Sequence, residues 1–137
     1  MRKVPKDSWA IIERVIRRYP ESKMEYDATV ESSMNNSLGK NSTQPRGNAV
    51  GNPTESIALK LHTPRMERLF REIEAVEAVY NELPPEHQKV IRMRFWSDRS
   101  RNMPYLQVER FVDYKEGQIK RISQRFVRNL GEKLGEI

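Results

Sequence analysis

Cysteine is absent from all 137 residues. That excludes disulfides, thiolate catalysis and thiolate zinc sites together, and it fits a reducing compartment. Long apolar runs are missing too, with no stretch near the ~20 residues that a membrane-spanning helix needs. The start, MRKVPKDSWAIIERV, meets Glu13 and Arg14 before any continuous apolar run forms, so it does not read as a secretory signal. Histidine is scarce: His62 and His87 have no acid or second histidine at ligand spacing, and each reads as a solvated residue. No glycine-rich phosphate loop of the G-x-x-x-x-G-K type occurs. Glu72, Glu74 and Glu77 lie beside Arg68 and Arg71, the pattern of helix-surface ion pairs and not of an acid pair in apolar surroundings. These absences point away from an enzyme, a metal site or a cofactor, and towards a soluble cytoplasmic protein with no membrane partner.

Positive charge is present in excess. The chain carries 25 Lys and Arg against 19 Asp and Glu, a formal charge of +6. A basic balance favours anionic partners such as nucleic acid, without specifying sequence reading. Hydrophobic content of 36% is low, so part of the chain is expected to stay unpacked.

The patterning is helical throughout, with no strand signal and no internal repeat. A first helix is expected from Asp7 to Arg18, with Trp9, Ile12, Ile16 and Tyr19 as its apolar stripe. Tyr19-Pro20 should end it, because proline disfavours helical geometry in the residue before it, and a weaker helix runs on to about Glu31. Residues 32–53, SSMNNSLGKNSTQPRGNAVGNP, hold sixteen Ser, Thr, Asn, Gln, Gly or Pro in twenty-two positions. Such a segment cannot offset its ordering entropy by burial, so 32–52 reads as a flexible linker between an N-terminal segment (1–31) and a helical domain (53–137). On this division, fragment 53–137 should fold by itself.

Asn52-Pro53 with Glu55 opens a short helix, and Thr63-Pro64 opens a stronger one to about Leu83. Leu69, Ile73, Val76, Tyr80 and Leu83 form its stripe, with Met66, Phe70 and Val79 beside it. A helix at 86–97, a turn, a short helix at 104–111, a three-residue link and a long helix at 115–134 follow. That order makes a helix-turn-helix at about 104–134, in which the second helix enters the major groove of DNA. Val108, Val112, Ile119 and Ile122 should close the core between its helices. Ile119, Ile122, Phe126, Leu130 and Leu134 repeat at steps of three and four along the last helix. From 113 to 130 there are five Lys or Arg against two Asp or Glu. The apolar members hold the helix, and the cations around them meet DNA.

LPPEHQKVIRMRFW (83–96) is similar to the start of region four of bacterial sigma factors, which reads like L-x-P-R-E-x-x-V-L-R-x-R-F. YLQVERFVDYKEGQIKRISQRFVRNL (105–130) resembles that region's helix-turn-helix, with Ile119, Ile122, Arg125, Val127 and Leu130 on matching positions. The whole chain resembles the phage late-gene activators of the RinA type, with the ArpU-type regulators as relatives. The carrying motifs are RRYPESK, GNPTESIALKL, MERLFREIEAVEAVYNELPPEHQKVI and the ending NLGEKLGEI.

The resemblance implies an all-α, sequence-specific DNA-binding regulator of phage or prophage late or packaging genes. Family contacts fall on Glu116, Gly117, Lys120 and Arg121, of which Lys120 and Arg121 would read base edges. Glu116 and Gly117 depart from the sigma pattern, so the sigma base sequence does not carry over. Lys115, Gln118, Gln124, Arg125 and Arg128, with Arg99 and Arg101 from the preceding turn, would hold phosphates. Two rivals stay open: a sigma-like adaptor that docks on RNA polymerase with little DNA affinity, and a DNA-binding packaging subunit forming a homo-oligomeric ring.

Overall fold

The computed structural model describes residues 4–37 and 62–137, and it is all-α, with no strand among the described residues. Five α-helices are described: α1 (Lys6–Ser37), α2 (Pro64–Asn81), α3 (Pro85–Ile91), α4 (Tyr105–Val108) and α5 (Glu116–Leu134). A π-helical turn, Arg92–Trp96, continues α3. The chain divides into two compact units, Met1–Pro20 with Glu72–Ile137, and Glu21–Arg71, so α1 and α2 each contribute to both.

The larger unit holds the main core. Ile12, Val15 and Ile16 of α1 are buried together with Ala75, Val76 and Val79 of α2. Ile91 and Phe95, and Phe126, Val127 and Leu130 of α5, complete the cluster. The stripes expected on α1, α2 and α5 supply Ile12, Ile16, Val76, Phe126 and Leu130 of this cluster, with Val79 from beside the α2 stripe. The division at 32–52 needs correction, however, because the N-terminal helix is part of the core and not a separate segment. Residues 32–37 are the last turns of α1. The remainder of the expected linker, and the short helix expected at Asn52-Pro53, lie outside the described residues.

α1 also continues through Pro20, where an end is expected. Proline has no N–H, so the carbonyl four residues earlier, on Ile16, loses its helical donor. The Trp96 indole Nε1–H donates to that carbonyl at 2.7 Å. A side chain 80 residues away therefore replaces the bond that the ring removes. Trp96 is held for this by Tyr19 and Tyr80, whose ring centroids lie 5.3 and 5.6 Å from it.

Trp96→Phe keeps a ring but deletes the donor, and should cost about 1–3 kcal/mol in chemical denaturation. In a Pro20→Ala background the backbone supplies its own N–H, and the same change should cost less. Equal costs in both backgrounds would show that the indole is not standing in for a missing amide.

Polar contacts between α1 and α2 in this unit also differ from the expected surface pairs. Arg18 makes a forked contact with the buried Glu72, at 2.7 Å to Oε2 and 2.8 Å to Oε1. Glu77 accepts the Tyr19 hydroxyl at 2.6 Å. Both contacts run between α1 and α2, where pairs along one helix are expected.

In the smaller unit, the start of α2 follows the cap read from the sequence. Pro64 is the first helical residue, and the Met66 N–H donates to Thr63 Oγ1 at 3.2 Å. Arg65 grips Glu25 at 2.7 and 2.8 Å, and this hydrogen-bonded guanidinium holds the Glu25 carboxyl below its usual range. Tyr26 and Phe70 are in ring contact at 5.6 Å, with Phe70 left exposed on its other side.

Candidate nucleic-acid interface

The α4–α5 region has its own small core of Val90, Val108 and Ile119, all fully buried. Met93, Met103, Tyr105, Val112, Tyr114 and Ile122 pack around it. α4 is only four residues long, and the chain turns through 109–115 before α5 begins. The start of α5 lies within one residue of the expected position, and α4 is shorter than the expected 104–111.

Two carboxamide and carboxylate oxygens close the start of α5. Gln118 Oε1 accepts the Lys115 N–H at 3.1 Å, and Glu109 Oε2 accepts the Glu116 N–H at 2.7 Å. An anion at a helix N-terminus is favoured by the helix dipole, so Glu109 both satisfies a donor and fixes the turn. At the other end Gly135 adopts φ 77°, and the Glu136 N–H returns to the Gly131 carbonyl at 2.8 Å, closing the helix. Gly131 is closely packed: a Cβ there would lie 2.5 Å from Ile12 Cδ1 and 2.7 Å from Ile137 Cδ1, so those side-chain ends would have to shift.

With Ile119, Ser123, Phe126, Val127 and Leu130 turned inwards, the helical period sends Gly117, Arg121, Gln124 and Arg128 to the outer side. Gln118 and Arg125 flank that line. Lys115, Glu116, Gln118, Lys120, Arg121 and Arg125 are exposed, while Gln124 and Arg128 are half-buried. Lys120, Arg121 and Arg125 have no hydrogen-bond or ion-pair partner among the described residues. Gly117 faces open space, with nothing within 4 Å of where its Cβ would be, so no neighbour in the chain demands a glycine there.

The turn 97–103 carries Arg99 and Arg101, both exposed. It is fastened to α1: Arg17 donates to Asn102 Oδ1 at 2.6 Å and to the Arg99 carbonyl at 2.9 Å. Asn102 in turn donates to Glu13 at 3.1 Å. Arg94 and Met103 exchange further bonds at 2.7 and 2.8 Å, with the Arg94 guanidinium 4.0 Å from the Tyr105 ring centroid. Burial pushes the Tyr105 hydroxyl pKa up, and the nearby Arg94 charge opposes this. Within the turn, hydrogen bonds from Ser100 hold the Asp98 carboxyl below its usual range, and Arg101 lies 3.8 Å from it. None of these bonds runs to α5, so Arg99 and Arg101 sit on a separately anchored piece from the α5 cations.

Sequence patterning did not single out Arg17, Glu109 or Tyr114. Arg17 and Glu109 look like ordinary surface charges, and their partners are 82–85 and 7 residues away. His87 was expected to be solvated, yet it is half-buried and edge-on to Tyr114 at 5.6 Å. Both rings border a cleft of about 190 Å³ between α3 and α5, where Leu83, Ile122, Gln118, Arg121 and Arg125 complete the lining.

Among the described residues, no helix is long and apolar enough to cross a membrane. No curated protein and no solved structure matches the chain. Residues 12–132 match the model of a family described as a protein of unknown function (DUF722). That match runs from the buried Ile12 of α1 almost to the end of α5, and the chain belongs to this family.

Proposed function

We propose that the protein is a sequence-specific, double-stranded-DNA-binding regulator of transcription that docks α5 in the major groove through a helix-turn-helix. The observation that carries this reading is the set of exposed cations along α5, with Arg121 on its outer side, Arg125 flanking that side and Lys120 nearer the packed side. The side chains of Lys120, Arg121 and Arg125 are exposed and unpaired among the described residues, on a helix that buries Ile119, Ser123, Phe126, Val127 and Leu130. Unpaired cations on a rigid, well-seated helix suit phosphate and base-edge contacts, because little ordering is left to be done on binding. Action as an activator of phage or prophage late or packaging genes, in the cytoplasm of a bacterial host, rests on the resemblance to the RinA-type activators.

Arg121 has the planar fork that bonds two guanine acceptors at once. Selecting bound duplexes from a random pool at stated salt should return a defined site. On that site, Arg121→Ala should cost about 1–3 kcal/mol and relax choice at one base position. Arg125→Ala should weaken all sequences alike and reduce the salt slope by about one phosphate contact. If no preferred site emerges, sequence-specific binding falls.

A second reading, a sigma-like adaptor docking on RNA polymerase, draws support from Leu106 and Phe111. They are 64% and 45% exposed, large apolar side chains in the short α4 and just after it. A gel shift with purified protein and no polymerase separates the readings, since the adaptor would shift DNA weakly or not at all.

A further inference from the structure

We propose that the cleft between α3 and α5 captures an acidic protein segment, seating one apolar side chain of the partner on its floor and the flanking carboxylates on Arg121 and Arg125. The cleft measures about 190 Å³. Pockets that enclose whole cofactors or drug-sized ligands run to about 300–1,000 Å³, so this one suits a single side chain and not a nucleotide. Its floor is apolar, formed by the half-buried Leu83 and Ile122. His87 and Tyr114 form an aromatic wall, edge to face. Above the floor stand two exposed guanidiniums with no partner among the described residues, and the Gln118 side chain beside them.

A phosphate backbone alone has no use for that floor. An apolar residue between carboxylates uses both parts: the side chain leaves water, and the carboxylates meet planar forks that match them in geometry. The chain's charge of +6 draws an acidic segment in the same sense. The proposal does not rest on DNA binding. Should both hold, an acidic partner in the cleft would take Arg121 and Arg125 away from DNA, and binding of the two would be mutually exclusive.

The test uses the full chain without DNA. A fluorescein-labelled, acetylated Asp-Asp-Phe-Asp-Asp peptide is titrated beside a version with Ser in place of Phe. Inorganic phosphate serves as a competitor in a parallel titration. The Phe peptide should bind at least tenfold more tightly than the Ser peptide, and phosphate should compete poorly. Arg121→Ala with Arg125→Ala should abolish binding while the melting temperature holds, both side chains being exposed. Amide shifts in NMR should move at Leu83, His87, Tyr114 and Ile122. Equal binding of the two peptides, shifts elsewhere, or binding that survives loss of both arginines would overturn the proposal. So would a duplex that moves these amides when neither peptide does, placing the cleft in the DNA surface instead. Peptide binding by a chain that selects no DNA site would leave this inference standing and remove the other.

Discussion

A fragment starting at residue 53 is expected to lose its cooperative fold, although it contains every helix of the proposed DNA-binding module. Ile12, Val15 and Ile16 are 0%, 4% and 0% exposed. Full burial of such a side chain contributes about 1.5–3 kcal/mol, so removing three takes away roughly 5–9 kcal/mol. A domain of this size has about 5–15 kcal/mol in total. Two further losses add to this. Glu72 would keep a largely buried carboxylate without Arg18, and Phe126, Val127 and Leu130 of α5 would face water where α1 had lain. Circular dichroism on heating should show a broad, shallow transition for 53–137 against a sharp one for the intact chain. A sharp transition in the fragment would mean that α1 adds to a core that is sufficient without it.

Ile119→Ala should give the largest loss among truncations in the small core of Val90, Val108 and Ile119. Ile119 is fully buried between Val90 of α3 and Val108 of α4, so it joins three helices at one point. Truncating a buried isoleucine costs about 2–5 kcal/mol, the higher values arising where the surroundings cannot collapse. Collapse is hindered here because α4 is a single turn, with the Glu109 carboxylate that follows it tied to the start of α5. Urea denaturation should show a lower midpoint with an unchanged slope. An unchanged midpoint would mean that α5 is not seated against α3 and α4 as described.

What was legible in the sequence was whatever a single helix records about itself. The three-four spacing of Ile119, Ile122, Phe126 and Leu130 marked the inner side of α5, and Thr63-Pro64 marked the start of α2, because both signals are local. The continuation of α1 through Pro20 was not legible. The rule that proline ends a helix is also local, and the indole that overrides it comes from residue 96. The same holds for Glu72, whose partner is Arg18 on another helix and not a neighbour on its own. For the candidate site, the pattern identified which cations lie outside the core. It could not show that Arg99 and Arg101 are fastened to α1, nor that Arg121 and Arg125 border a cleft with an apolar floor. Those facts depend on side chains that meet only after the helices pack.

The π-helical turn at Arg92–Trp96 sets an angular phase. A hydrogen bond closing five residues back takes in one more residue than the α-helical pattern does. Each residue advances the direction of a side chain by about 100°, at 3.6 residues per turn. Loss of one residue from this turn would let the α-helical pattern resume, leaving Trp96 and Phe95 close to their present directions towards Ile16 and Phe126. The segment should therefore accept a one-residue deletion more readily than an α-helical stretch would, because the turn already carries one residue beyond the α-helical pattern and the chain leaves the helix directly after it.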